Sequence, residues 1–225
     1  REPRGGIVDF GTHVLKDESI FLHASTVELV PQGDSTPTHT SWLSRPGIPY
    51  WIRSRDNGRT WSDPKRFPRL PDCVWGHPSE HSGVCRSQLI ELDDGRILLP
   101  SKATDVTHEF RYFGMMRISR DLGENWEYGG RIAEDPIAHF SEPAMYRTPG
   151  GRLLVLFRLH PRLPNDKIAR LALVTSDDDG ETWTPQTNYS PHLVGVTYVN
   201  GTFMAVGLPV SYTHLRAHAT LRKLV

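Results

Sequence analysis

The segment Ser54-Arg-Asp-Asn-Gly-Arg-Thr-Trp61 gives the first indication of the fold, because it occurs twice more in altered form. The other two copies are Ser119-Arg-Asp-Leu-Gly-Glu-Asn-Trp126 and Ser176-Asp-Asp-Asp-Gly-Glu-Thr-Trp183. All three follow the pattern S-x-D-x-G-x-[TN]-W, at intervals of 65 and 57 residues. We name them box 1, box 2 and box 3. A repeat at this spacing indicates one structural unit used several times along the chain.

The segments around the boxes have the pattern of strands joined by tight turns. Turn sequences at Gln32-Gly33, Asp94-Gly95 and Gly150-Gly151 precede the boxes by 21 to 25 residues, and a fourth, Asn200-Gly201, has no box after it. Apolar residues alternate on both sides of these turns. Each unit is therefore interpreted as strand, turn, strand, loop, strand, box and short strand. Four antiparallel strands per unit predict an all-β propeller, and the turn spacing excludes a helical solenoid.

The composition indicates a globular chain with an ordinary core. Its 26 Lys and Arg balance 26 Asp and Glu, which argues against an electrostatic nucleic-acid binder, and no apolar run is long enough for a membrane-spanning segment. Cys73 and Cys85 could form one disulfide or stay as two thiols, so the redox compartment is open. The chain begins at Arg1 with no signal peptide visible, which fits a mature N-terminus or a fragment.

The box residues have a structural explanation. An Asp can accept backbone N–H groups within the turn, and a Trp offers a large apolar plate to a neighbouring strand or blade. We expect these roles for three Asp and three Trp residues: Asp56, Asp121, Asp178, Trp61, Trp126 and Trp183. Calcium binding by Asp177-Asp178-Asp179 is the alternative, but the other boxes lack that acidic run.

One segment matches the sequence pattern of a zinc-binding motif. His77-Pro-Ser-Glu-His81 matches H-x-x-E-H, which binds zinc only when a helix places both His residues on one side. Pro78 and the flanking Gly76 and Gly83 predict a loop instead, linking two units. We therefore expect no metal site.

The segment Phe140-Ser-Glu-Pro-Ala-Met-Tyr-Arg-Thr-Pro-Gly-Gly-Arg-Leu-Leu-Val-Leu-Phe-Arg158 carries the strongest functional signal. Glu142 and Arg158 are equidistant from Gly150, the centre of its turn, so a hairpin places them opposite each other at its far end. That end is the face opposite the boxes, beside the central channel. An ion pair there either stabilises the hairpin or forms part of a binding site.

These features resemble the Asp-boxes, or bacterial neuraminidase repeats, of the sialidase superfamily of six-bladed β-propellers, over residues 20–209. The resemblance implies an exo-alpha-sialidase that releases terminal sialic acid from glycoconjugates without a cofactor. In such enzymes three Arg side chains bind the sugar carboxylate, a Tyr is the nucleophile, a Glu activates it and an Asp is the acid/base. Carried over to this chain, Glu142 is the activating base and Arg158 is one of the carboxylate-binding residues.

The same resemblance leaves alternatives open. A non-catalytic propeller that binds glycan or protein, and a hydrolase acting on another sugar, carry boxes of this kind. The implied partner is a sialylated or other glycan, with protein partners unknown, and the implied compartment is secreted or periplasmic.

Other expected site residues match less well. The segment Phe21–Leu29 has no Arg where the first carboxylate-binding Arg is expected, and His23 lies there instead. Arg86, at the start of the next unit, is the best substitute by position, although a solvated strand-end Arg is the more common role for such a residue. Asp105 is the candidate acid, with a simple loop-forming role as its alternative.

The repeat defines the expected organisation. A lead-in spans residues 1–19, three blades span 20–68, 85–133 and 142–188, and half a blade spans 189–209. Residues 210–225 lack the repeat and contain no Gly, Pro, Asp or Glu, so they are either a foreign tail or a short amphipathic helix. Tyr212 lies in that tail and is not the expected nucleophile. Since six blades close a ring, the nucleophilic Tyr and the third Arg are expected in further blades, and we expect little catalysis from residues 1–225.

Overall fold

The computed structural model describes residues 5–29, 44–68, 73–74, 88–105, 112–135, 138–161, 170–191, 193–199, 202–207 and 222–223, and these contain β-strands and turns without a helix. In chain order, the first eight strands are β1 (Gly5–Val14), β2 (Ile20–Leu29), β3 (Ser44–Ser54), β4 (Lys65–Arg66), β5 (Cys73–Val74), β6 (Ile90–Glu91), β7 (Ile97–Asp105) and β8 (Tyr112–Ser119). The remaining eight are β9 (Glu127–Ala133), β10 (Ala138–Arg147), β11 (Leu153–Pro161), β12 (Arg170–Ser176), β13 (Thr184–Pro191), β14 (Leu193–Val199), β15 (Thr202–Gly207) and β16 (Arg222–Lys223).

The strands form four antiparallel sheets in chain order. Blade 1 is β1-β2-β3-β4, blade 2 is β5-β7-β8-β9 with β6 also paired to β7, and blade 3 is β10-β11-β12-β13. The fourth sheet is β14-β15-β16. The predicted all-β propeller architecture is thus confirmed, with a box between the third and fourth strands of each blade. Blade 1 begins with β1, inside the expected lead-in of residues 1–19, and β16 lies inside the expected tail.

The turn between the first and second strands has the same hydrogen bonds in all three blades. In blade 3, Thr148 N donates to Arg152 O at 2.8 Å and Gly151 N donates to Thr148 O at 2.9 Å. Leu92, Gly95 and Arg96 repeat the arrangement in blade 2, and Leu15, Glu18 and Ser19 repeat it in blade 1.

The blade 1 turn differs from the sequence prediction. The sequence pattern predicts this turn at Gln32-Gly33, but the turn of blade 1 lies at residues 15–19. Gln32-Gly33 falls between β2 and β3, outside the described residues. The prediction failed because blade 1 carries Glu18, with a φ of 63°, at the left-handed position that glycine occupies in the other two blades.

The cores lie between the blades. Eight buried residues join blades 1 and 2: Leu15, Phe21, Trp51, Phe67, Leu89, Ile97, Leu99 and Trp126. A second cluster joins blades 2 and 3 and includes Leu98, Met116, Phe140 and Phe157. In β7, Ile97 and Leu99 belong to the first cluster and Leu98 to the second, because successive side chains of a strand point to opposite faces. A strand between two blades is therefore apolar on both faces.

Within the described part of the chain, no helix has the length and apolar character needed to cross a membrane.

Candidate functional site

Each blade has two ends. The box end carries the boxes and the turns between first and second strands. In blade 3, Arg152 links the turn to the box there, because its Nε and Nη2 donate to the two carboxylate oxygens of Asp177 at 2.6 and 2.8 Å. We name the opposite end, where β10 begins and β11 finishes, the mouth end. Glu142 and Arg158 both lie there.

A β-bulge in β10 determines the position of Glu142. Near the turn, Ala144 pairs with Leu156, but beyond it Ser141 pairs with Arg158, so Glu142 and Pro143 together oppose one residue of β11. Glu142 has a left-handed φ of 50° at this point. The expectation of a directly facing Glu142–Arg158 pair is therefore wrong in register, because a bulge inserts one extra residue. Pro143 suits the bulge, since it has no N–H to donate to the ladder.

The ion pair itself is formed. Arg158 Nη1 donates to Glu142 Oε1 at 2.9 Å, and the two side chains are 44% and 38% exposed. The Ser141 hydroxyl donates to the Arg158 carbonyl oxygen at 3.3 Å across the same strand pair. The structure thus presents a half-exposed guanidinium and carboxylate held by a distorted hairpin, accessible to a ligand.

Blade 1 repeats the bulge. Val8 pairs with Ser25 and Gly11 pairs with His23, so Asp9 and Phe10 together oppose one residue of β2. By register, Asp9 holds the position of Glu142. An acidic residue at a bulge of the first strand is therefore a feature of two blades, which the alternating sequence pattern alone does not indicate.

The equivalent mouth end of blade 2 carries Lys102, Tyr112 and, from blade 3, His139. The Lys102 ammonium lies 5.3 Å from the centroid of the Tyr112 ring, and that ring lies 5.2 Å from the His139 ring. The Tyr112 backbone N donates to His139 Nδ1 at 3.1 Å. Sequence reasoning missed Lys102, although its distance from the turn gave a signal: it follows Arg96 by six residues, as Arg158 follows Arg152.

The other expected site residues have different outcomes. Arg86 and the His77–His81 loop lie outside the described residues, as does Cys85. Asp105 is the last residue of β7, where its backbone pairs with Cys73 at the mouth end. His23 is fully buried, and its ring stacks on that of His13 at 5.9 Å, so it belongs to the interior of blade 1.

The boxes form one turn three times. In box 3, Asp178 Oδ1 accepts from the backbone N of Thr182 at 2.9 Å and from the Ser176 hydroxyl at 2.7 Å, while the Ser176 hydroxyl accepts from Gly180 N at 2.9 Å. Boxes 1 and 2 make the same bonds around Asp56 and Asp121.

These hydrogen bonds stabilise the charged carboxylates. Bonds from the Thr60 side chain and backbone lower the pKa of Asp56 to about 2, and those from Thr182 lower the pKa of Asp178 to about 2. Burial raises the pKa of Asp121, but the bonds from Asn125 and Ser119 outweigh it, and the net shift is downward.

All three carboxylates of the Asp177–Asp179 run have protein partners. Asp177 binds Arg152, Asp178 holds the turn, and Asp179 Oδ1 accepts from Arg147 Nη2 at 3.2 Å. No cluster of metal-binding side chains occurs among the residues that the structure describes.

The box Trp residues differ in environment. Trp126 is 7% exposed, donates from Nε1 to the Gly123 carbonyl oxygen at 2.9 Å and packs against Phe21 and Phe67 of blade 1. Trp183 donates in the same way to Gly180 and packs against the cluster between blades 2 and 3. Trp61 of blade 1 is 39% exposed. Burial of this Trp thus accompanies packing against the preceding blade.

Comparison with known proteins gives a family match. The sequence profile of the BNR repeat-like domain matches residues 26–218. None of the curated proteins is similar enough in sequence to count as a match.

Solved structures share the fold at low identity. A protein of unknown function from Dyadobacter fermentans is 23% identical with a TM-score of 0.66, covering 83% of this chain and 50% of its own. The NanB sialidase from Streptococcus pneumoniae is 13% identical with a TM-score of 0.58, covering 91% and 44%. An alpha-L-arabinanase from Penicillium chrysogenum is 16% identical with a TM-score of 0.56, covering 89% and 57%. The chain thus has the fold of glycoside-hydrolase-like propellers and spans about half the length of these structures.

Proposed function

The chain belongs to the BNR repeat-like domain family, and from that premise we propose that its mouth end binds a terminal sialic acid, with Arg158 contacting the sugar carboxylate and Glu142 acting as the base of a sialidase-type hydrolysis. The observation that carries the proposal is the half-exposed Arg158–Glu142 pair on the bulge of β10. An exposed pair contributes little to stability, so stability alone is a weak reason for this arrangement.

The chemistry of the pair suits an acidic sugar. Arg presents a planar, permanently charged set of N–H donors that matches a carboxylate. Glu142 occupies Nη1 of Arg158, and Arg158 is 44% exposed, so a sugar carboxylate can approach the rest of the guanidinium.

Glu142 is the base of the proposed reaction. A carboxylate can accept the proton of a hydroxyl nucleophile, which is too weak an attacking group at its free pKa. Binding of the sugar carboxylate by Arg158 leaves Glu142 beside the sugar, where it would take that proton. The nucleophilic Tyr is expected in a further blade, so this chain supplies part of the reaction centre.

A binding experiment with a matched control tests the proposal. N-acetylneuraminic acid is titrated into the chain, and into its Arg158→Met and Arg152→Met variants, while chemical shifts are recorded by NMR. Both Arg residues belong to the second strand segment of blade 3, Arg158 within β11 and Arg152 directly before it, and each binds a carboxylate, but Arg152 is at the box end. We expect Arg158→Met to weaken binding at least tenfold and Arg152→Met to change it less than twofold.

Equal effects of the two variants would contradict the assignment of the mouth end. Tighter binding of an arabino-oligosaccharide than of N-acetylneuraminic acid would favour hydrolysis of another sugar. Binding of neither sugar would leave the non-catalytic propeller as the better description.

The proposed role of Glu142 as the base is tested by kinetics, in a form of the protein that hydrolyses a sialoside. In that form, Glu142→Gln keeps the size of the side chain but removes the base, so kcat should fall by about two orders of magnitude or more. An unchanged kcat in a correctly folded Glu142→Gln variant would remove Glu142 from the mechanism.

A further inference from the structure

The box end has a polar pocket of its own, where blade 1 meets the box of blade 2. The pocket has a volume of about 300 Å³ and is formed mainly by β3, box 1 and β4. Three cations of blade 1 and one carboxylate of box 2 line it: Arg53, Arg55, Lys65 and Glu124. Because Glu142 and Arg158 lie at the mouth end, this pocket is separate from the site of the proposed function.

The three cations converge on the carboxylate of Glu124. Lys65 Nζ donates to Oε2 of that carboxylate at 2.5 Å. Arg53 Nη1 and Arg55 Nη2 share the other oxygen, Oε1, at 3.4 and 3.8 Å. Hydrogen bonds between charged N–H donors and oxygens are about 2.7 to 2.9 Å long, so these two contacts are ion pairs without a hydrogen bond. The two oxygens of Glu124 therefore satisfy one of the three cations fully.

The guanidinium of Arg53 is buried without a hydrogen bond. Its side chain is 3% exposed, and Nε, Nη1 and Nη2 have no hydrogen-bond partner. The rings of Phe21 and Trp51 lie 5.9 and 6.0 Å from it, and they attract its charge without supplying an oxygen acceptor. Such a buried group requires an acceptor, for example a water or an ion. Because Arg53 lines the pocket and contacts Glu124, an acceptor that takes the place of that carboxylate reaches it.

The equivalent residue of box 3 has a different balance of charges. Glu181 holds the position of Glu124 in the repeat and binds one cation, Arg96, which also pairs with Asp94. One guanidinium there serves two carboxylates. Around Glu124, three cations face two carboxylates, the second being that of Asp17 at 3.5 Å from the nearest guanidinium. A link between two blades thus needs one cation, and the pocket holds more positive charge than such a link requires.

We propose that this pocket binds a tetrahedral oxyanion, the sulfate or phosphate group of a small ligand, in the place of the Glu124 carboxylate. A tetrahedral group has more oxygen atoms than a carboxylate, so each of the three cations can donate to an oxygen of its own. The Glu124 side chain is 35% exposed, and the box 2 turn is held by Ser119 and Asp121 instead. Glu124 can therefore turn outward without breaking the box.

The test uses the competition between Glu124 and the oxyanion. Glu124→Gln keeps the size of the side chain and removes its charge. Sodium sulfate and, separately, sodium phosphate are titrated into the parent and the variant at constant ionic strength, and binding is followed by NMR chemical shifts. We expect Glu124→Gln to bind the preferred anion about tenfold more tightly than the parent. Glu181→Gln, at the same position of box 3, is the matched control and should stay within about twofold of the parent.

Variants of the cations test the same site from the other side. Arg55→Met and Lys65→Met change side chains that are 65% and 51% exposed, so they leave the interior in place. Each should weaken anion binding at least about threefold in the Glu124→Gln background. Thermal unfolding gives an independent measurement. Sulfate should raise the unfolding temperature of Glu124→Gln more than that of Glu181→Gln, since its general effect on folding is common to both.

The anion that binds more tightly decides between a sulfate-bearing and a phosphate-bearing ligand. Absence of saturable binding of both anions to the parent would overturn the proposal, as would equal affinities of Glu124→Gln and the parent. If an anion binds but Arg55→Met and Lys65→Met leave its affinity unchanged, it lies elsewhere and the pocket is excluded. Should Glu124→Gln fail to fold, Arg55→Met and Lys65→Met in the parent chain decide by the same criteria.

Discussion

At the scale of single residues, the box carboxylates show how one charge organises a turn. Asp178 accepts the backbone N of Thr182 and the hydroxyls of Ser176 and Thr182, and each of these bonds favours its ionised form. The same bonds hold Asp56 in box 1. The pKa of each is about 2, below the ordinary 3.8, so the folded protein favours these carboxylates in their charged form.

This difference gives the protein a pH-dependent stability. The contribution of the two carboxylates is complete above about pH 4, where they are charged in both states, and is lost as the pH falls from about 4 to 2. Asp178→Asn should therefore lower the urea midpoint at pH 7, and its difference from the parent should shrink towards pH 2. Asp177→Asn, which removes the neighbouring charge and its pair with Arg152 but leaves the bonds of the turn in place, is the control. A difference for Asp178→Asn that is constant with pH would contradict this explanation.

At the scale of structural elements, the turn between β1 and β2 shows a cost that the other blades avoid. Glu18 has a φ of 63°, whereas its equivalents Gly95 and Gly151 have φ values of 86° and 90°. A left-handed conformation is strained for a residue with a Cβ and free of strain for glycine. Blade 1 thus forms the same turn from a less suitable residue.

Exchanging the residues at these equivalent positions tests this explanation. We expect Glu18→Gly to raise the free energy of unfolding by up to about 1 kcal/mol, and Gly95→Ala to lower it by about 1 kcal/mol. No atom lies within 4 Å of a Cβ built on Gly95, so its effect reports the backbone alone. The measurement is urea unfolding at pH 7. Destabilisation by Glu18→Gly would show that the Glu18 side chain makes a contribution larger than the strain.

At the scale of the whole molecule, the blades depend on close approach between sheets. A Cβ built on Gly114 of blade 2 would lie 2.4 Å from Cζ of Phe157 in blade 3, inside the cluster that joins the two blades. Phe157 in turn packs edge-on against Phe140, which belongs to the strand of Glu142. The position of the mouth end of blade 3 therefore depends on a glycine in blade 2.

A methyl group added at Gly114 should push blades 2 and 3 apart at this contact. Gly114→Ala should lower the free energy of unfolding by about 1 to 3 kcal/mol, because the overlap forces Phe157 to move. Gly150→Ala is the matched control: the nearest atom to its Cβ is the Thr148 hydroxyl oxygen at 3.9 Å, and we expect a change within about 0.5 kcal/mol. Equal unfolding curves for the two variants would show that Phe157 and blade 2 accommodate the added methyl group without loss of stability.

The local features of this protein can be predicted from its sequence. The box turns are made by side chains and backbone within eight residues of each other, so the pattern S-x-D-x-G-x-[TN]-W is enough to predict them. The alternating strands between the boxes likewise predicted three four-stranded units and the all-β class. The turn of blade 1 escaped prediction, because Glu18 gives no sign of a left-handed position.

The repeating blade, and the acidic and basic residues at the far end of one hairpin, follow from the sequence alone. The bulge that holds Glu142, and the burial of Trp126 but not of Trp61, became visible in the folded chain. These depend on partners distant along the chain, such as the pairing of Tyr112 with His139 across two blades. A local pattern specifies a turn by its own hydrogen bonds, whereas register and burial are set by packing between sheets.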